Sequence, residues 1–163
     1  MVLPSGIEAN VQDIVLHHDN LRTAFAPQSV TLVLDRQIDI SRGDMIADIG
    51  MLPRVTSQST ANPARLGTKP LDTQRKYLIR QTTQPVRVAF EAIDFRLDVN
   101  TLERESGVTA FQRNDIGPVG LKTARPLMIE AYGVARATGS FILIDEVSNE
   151  TVAGGMIVDE GGQ

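Results

Sequence analysis

The apolar residues of this chain arrive in short runs rich in β-branched side chains, and no stretch carries the three-to-four-residue repeat of an amphipathic helix. Residues 30–34 (Val-Thr-Leu-Val-Leu), 87–93 (Arg-Val-Ala-Phe-Glu-Ala-Ile) and 141–144 (Phe-Ile-Leu-Ile) suit a pleated, half-buried strand, where branched side chains pack at little entropic cost. Turn formers close such runs off: residues 4–6 (Pro-Ser-Gly), residues 42–44 (Arg-Gly-Asp), and Asn149 with Glu150 between two apolar segments, as in a hairpin. Many short strands with frequent turns predict a barrel or sandwich, an all-β fold. From about residue 51 to residue 73 the chain becomes rich in Ser, Thr, Gln and Asn, and Pro53, Pro63 and Pro70 interrupt any ladder, which marks a domain boundary. With 163 residues, 42% of them apolar, there is material for one ordinary domain or two small ones.

Charge and composition exclude several functions. A net charge of -4 argues against broad phosphate-backbone binding, and 4% aromatic residues against base stacking, so a nucleic-acid partner is not expected. No cysteine is present, which removes disulfides, thiolate metal sites and a thiol nucleophile and suits a reducing, cytoplasmic setting. No apolar run approaches the roughly 18 residues of a membrane span, and no signal-peptide pattern opens the chain.

Several ordered blocks carry a family resemblance. Residues 2–6 (Val-Leu-Pro-Ser-Gly), 26–34 (Ala-Pro-Gln-Ser-Val-Thr-Leu-Val-Leu) and 38–44 (Ile-Asp-Ile-Ser-Arg-Gly-Asp) resemble the second domain of a translation-factor-type GTPase. Residues 93–102 (Ile-Asp-Phe-Arg-Leu-Asp-Val-Asn-Thr-Leu), 124–127 (Ala-Arg-Pro-Leu), 136–145 (Arg-Ala-Thr-Gly-Ser-Phe-Ile-Leu-Ile-Asp) and 149–157 (Asn-Glu-Thr-Val-Ala-Gly-Gly-Met-Ile) narrow it to the large, GTP-binding subunit of bacterial sulfate adenylyltransferase. The resemblance implies two small β-barrels: residues 1–52 a partial second-domain barrel lacking its first strands, and residues 74–158 a third-domain barrel, with residues 159–163 a tail. Residues 53–73 read as a linker together with a weakened first strand of the next domain, because the stretch 59–67 is polar and carries proline where the family has a strongly apolar strand.

In that family GTP hydrolysis by the large subunit drives formation of adenylyl sulfate on a separate small catalytic subunit. The barrels alone imply no catalysis and no cofactor, since the Gly-rich loop ending in Gly-Lys-Ser/Thr that would hold GTP phosphates does not occur in this sequence. The Asp-x-x-Gly string at residues 159–162 sits in the tail and carries no weight. The implied partners are the small catalytic subunit or a separate GTPase domain, with self-association through open barrel edges as a further expectation; an elongation-factor-like RNA-binding module and a non-functional gene remnant are the alternative readings.

Strands committed to a barrel leave recognition to loops. Two polar or glycine-rich connections therefore stand out, with Arg113, Asn114 and Asp115 in the first and Tyr132, Arg136 and Thr138 in the second. Arg113 and Arg136 could make charge-assisted contacts to acidic surface or phosphate; the alternative, turns permitted by Gly133 and Gly139 with a solvated Arg136, stays open. Other motifs read as structural. His17, His18 and Asp19 alternate sides in an extended chain and suit a loop better than a metal site. Asp94 and Asp98 would stand roughly 13 Å apart along a strand, too far for paired acid–base work. Residues 41–44 read as a strand-end turn, not as an adhesion motif.

Overall fold

The computed structural model describes residues 1–66, 71–93, 95–98, 103–107, 110–111 and 115–158. The chain divides into two compact units, Met1–Leu52 and Pro53–Gln163. Both are built of antiparallel strands, as the alternating runs predict, and the one helix among the described residues is a single four-residue turn.

In the first unit β1 (Val2–Leu3) pairs with β5 (Met45–Ile46), while β2 (Val11–Leu16) lies between β3 (Asp19–Leu21) and β4 (Thr31–Leu34). Residues 4–6 turn the chain back on β1: the Gly6 amide donates to the Val2 carbonyl at 2.8 Å, with Gly6 at φ 73°, a conformation cheap only for glycine. His17 and His18 form the turn from β2 to β3. In residues 41–44, the Ser41 amide donates to Asp44 Oδ2 at 2.7 Å and the Asp44 amide returns a 3.0 Å bond to the Ser41 carbonyl, a closed local turn. Only Val2 and Leu3 are buried apolar residues in this unit, whereas Phe25, Ile49 and Met51 are exposed.

The second unit contains a closed six-stranded barrel in the order β14-β6-β16-β15-β8-β9. Its strands are β6 (Arg54–Arg65), β8 (Tyr77–Arg80), β9 (Pro85–Ile93), β14 (Val119–Ile129), β15 (Ser140–Asp145) and β16 (Thr151–Ile157). Short pairs decorate it: β7 (Leu71–Asp72) with β12 (Ala110–Phe111), and β10 (Arg96–Asp98) between β11 (Arg104–Glu105) and β13 (Asp115–Ile116). Alternation sends Tyr77 and Ile79, Val119 and Leu121, Phe141 and Leu143 inward. Each fully buried Leu or Ile contributes ~1.5 to 3 kcal/mol by leaving water.

The stretch 53–73, read from sequence as a linker with a weakened first strand, contains a full strand, β6, the longest described, hydrogen-bonded to β14 on one side and β16 on the other. Its inward residues are small, Ser59, Ala61 and Pro63, and therefore do not read as apolar. Gly155 is the register partner of Pro63, and the Phe141 ring occupies the space beside it so closely that a Cβ on Gly155 would lie 2.2 Å from the ring.

The Ala124-Arg125-Pro126 motif also has a structural account. The register of β14 against β6 shifts between Lys122 and Leu127, and Pro126, which has no amide proton to give a ladder, sits in that irregularity. Thr123 Oγ1 donates to the Arg125 carbonyl at 2.7 Å, supporting the bulged backbone.

Candidate functional site

The connection from β14 to β15 is a knob built on three anchors. Ile129, buried at the end of β14, fixes where the chain leaves the barrel. The Tyr132 amide donates to the Ile157 carbonyl at 3.1 Å, which ties the loop to the end of β16. The Ala131 carbonyl then accepts from the amides of Val134 and Ala135 at 2.9 and 3.1 Å, and the Gly139 amide donates to the Ala135 carbonyl at 2.8 Å, closing the single turn α1 (Arg136–Gly139).

Side chains lock this backbone. Gln81 Nε2, just beyond β8, donates to the Met128 carbonyl at 2.6 Å and to the Thr138 carbonyl at 2.5 Å, joining both ends of the connection. Thr138 Oγ1 donates to Glu130 Oε2 at 2.6 Å, and Ser140 Oγ donates to the Arg136 carbonyl at 2.7 Å. Gly139 is required by space: a Cβ there would stand 2.5 Å from the Tyr132 Cα. What these bonds present outward is a small mixed surface. The Arg136 guanidinium carbon lies 5.9 Å from the Tyr132 ring centroid, and Val134 is 75% exposed. A ring with a cation over it offers charge, donors and apolar area on a prepaid conformation, the combination found at protein contacts.

Of the sequence-predicted interface residues, Tyr132, Arg136 and Thr138 are brought together in this knob. Arg113 and Asn114 lie outside the described residues. Asp115 opens β13, where its backbone pairs with Asp98, so residues 115 and 116 form a strand instead of a free polar connection. Asp94 lies outside the described residues. Gln81 and Glu130 escaped sequence reasoning: their partners stand 57 and 8 positions away, and an isolated Gln or Glu carries no local signal of such a role.

The β15–β16 hairpin holds a second polar center. Asp145 Oδ1 accepts from the amides of Val147 and Ser148, both at 2.9 Å, and Arg75 lies 3.6 Å from Oδ2. The Ser148 and Val147 amides, with help from Arg75, hold this carboxyl below its usual range. Beside it, Arg87 Nε donates to Glu146 Oε1 at 2.7 Å, with a second guanidinium nitrogen at 2.7 Å from the same oxygen. Burial raises the Tyr77 phenol above its ordinary value. Asp145 is spoken for by turn amides, and its role is to shape the hairpin.

Comparison with known proteins accords with this architecture. The family model described as GTP-eEF1A C-terminal domain-like matches residues 63–158. Sulfate adenylyltransferase subunit 1 of Bacteroides fragilis is 40% identical over 159 residues, covering 98% of this chain and 33% of the relative. The bifunctional enzyme CysN/CysC of Mycobacterium tuberculosis is 40% identical over 159 residues, covering 97% of this chain and 26% of that protein. The chain thus spans about a third or less of the length of these curated relatives. The crystal structure of sup35 complexed with GMPPNP superposes with a TM-score of 0.80 at 20% identity, over 97% of this chain and 39% of that one, a likeness of fold.

Proposed function

The chain belongs to the GTP-eEF1A C-terminal domain-like family, and from that premise we propose that it is a non-catalytic barrel module of sulfate activation, which docks on a GTPase domain or on the small catalytic subunit of a sulfate adenylyltransferase. The observation that carries the reading is the knob, in which Tyr132 and Arg136 are held outward by the Gln81 bridge and the tight Gly139 approach. Relatives named sulfate adenylyltransferase subunit 1 supply the reaction context. In this reading GTP is bound by a different domain, the module works in the cytoplasm, and Arg136 makes a charge-assisted contact to a carboxylate of the partner.

Calorimetric titration of the chain with the purified small catalytic subunit, and separately with a GTPase domain of subunit 1, tests the proposal. Binding to one of them that Arg136→Ala weakens by ~1 to 3 kcal/mol is the expected result. Binding to neither overturns it. Strongly salt-dependent binding to a short RNA, with no response to either protein, would favor an elongation-factor-like RNA module instead.

A further inference from the structure

A second surface, separate in residues from the knob, lies along the row in which β8, β9 and β14 run side by side. Register places Lys122 opposite Ala89 and Thr123 opposite Val88, while Tyr77 of β8 pairs with Val88 from the other side. Between these strands is a groove of about 340 Å³, lined at its base by Val88, Ala89, Thr123 and Ala124. Val88 and Thr123 are buried, whereas Ala89 and Ala124 are exposed and form the accessible floor of the groove.

Charge around the groove is one-sided. Lys76, Arg87 and Lys122 line it against a single acid, Glu146, and that acid is already engaged by Arg87 at 2.7 Å. Among the described residues neither Lys76 nor Lys122 has an ion-pair partner, which leaves two ammonium groups uncompensated over an apolar floor in a chain whose net charge is -4. Glu91, the next outward position of β9 after Ala89, lies over Gly120 and outside the lining of the groove. Every strand of the barrel is paired on both sides, so a ligand here is recognized by side chains and not by adding a strand.

We propose that this groove binds an acidic peptide segment of a protein partner, one or two apolar side chains seated on Ala89 and Ala124 and flanking carboxylates reaching Lys76 and Lys122. The volume stands at the lower end of the ~300 to 1,000 Å³ typical of ligand sites and accommodates roughly that many large side chains. The apolar floor argues against a free anion, which would prefer a polar cradle, and the lysines argue for carboxylates on the peptide flanks.

The test uses the full chain and fluorescence anisotropy with a labeled synthetic hexapeptide, Glu-Asp-Leu-Phe-Glu-Asp with blocked ends. The expected result is saturable binding with Kd on the order of 100 μM or tighter, weakened about tenfold by the double variant Lys76→Glu with Lys122→Glu. A Gly-Ser core replacing Leu-Phe should weaken binding by a similar factor. Arg36→Glu, an exposed charge reversal in the first unit, should leave it unchanged, and matched thermal melts exclude misfolding of the variants. Any of three results overturns the proposal: no binding below about 1 mM, equal binding of the Gly-Ser peptide, or equal weakening by Arg36→Glu. Displacement of the peptide by inorganic phosphate at low millimolar concentration would reassign the groove to a simple anion. Because Arg136→Ala leaves the groove intact, its effect on partner docking is read independently of this peptide assay.

Discussion

The side-chain amide of Gln81 reaches the Thr138 carbonyl at 2.5 Å and the Met128 carbonyl at 2.6 Å, so one residue after β8 sets the geometry of a loop that begins and ends on other strands. Both acceptors are main-chain carbonyls in partly buried positions, and both are left without this donor if the amide is removed. Gln81→Ala is expected to destabilize the protein by about 1 to 3 kcal/mol, read as a lower urea midpoint with unchanged slope. Gln81→Glu replaces the donor with an acceptor facing two carbonyls and should cost more. If the two variants match the parent protein, the bridge contributes nothing to the knob.

Gly155 and Phe141 form a second coupled pair, the ring standing where a Cβ on Gly155 would go. Gly155→Ala should destabilize by about 1 to 3 kcal/mol through overpacking. Phe141→Leu alone should also destabilize, by leaving space in the core. The double variant is expected to lose less than the sum of the two, by about 1 kcal/mol or more, because the smaller side chain makes room for the new methyl. Additive losses in urea unfolding would show that the contact relaxes by some other route.

The Asp145 carboxyl accepts two turn amides and sits near Arg75, which lowers its folded pKa below the ordinary 3.8. A depressed carboxyl pKa means that the unfolded chain binds the proton more readily than the folded one. The resulting stabilization is complete above the unfolded value and is lost as pH falls through the lower folded value. Thermal melts from pH 7 down to about pH 2.5 should therefore show the protein more stable than Asp145→Asn at neutral pH, with the gap narrowing below about pH 4. A gap independent of pH would assign the effect to geometry instead of charge.

Asn62 Oδ1 is buried on β6 with no hydrogen-bond partner among the described residues. An unsatisfied buried acceptor costs about 1 to 3 kcal/mol, so Asn62→Val, which keeps the strand preference and drops the amide, should be neutral or stabilizing. A loss above about 1 kcal/mol in the urea midpoint would indicate a hydrogen bond to Asn62 in solution.

Amide hydrogen exchange should separate the two units. The barrel encloses a contiguous apolar core including Ile79, Leu121 and Leu143, whereas the first unit buries only Val2 and Leu3 and leaves Phe25, Ile49 and Met51 exposed. Amides of β8 and β15 are expected to exchange slowest, and those of β2 to β4 faster by a factor of ~100 or more, because local opening there uncovers little apolar surface. Uniform protection along the whole chain would contradict this division.

Strand content was legible wherever alternation and branching coincide. Residues 30–34, 87–93 and 141–144 overlap β4, β9 and β15, and the translation-factor barrel expected from the ordered motifs is the observed fold. Tyr132, Arg136 and Thr138 could be chosen as loop residues because glycines flank them in a segment with no strand pattern. The sequence by itself therefore determined the class of fold, the strands β4, β9 and β15 and the loop that carries the knob, since these follow from side-chain properties of near neighbors. Tertiary structure alone decided that the polar, proline-bearing residues 54–65 form the longest described strand, because β14 and β16 pair with it on its two sides as the barrel closes. It also decided that Gln81 clamps Thr138 and that Lys76, Arg87 and Lys122 gather over one groove, since barrel closure brings together residues whose separation along the chain leaves no local trace.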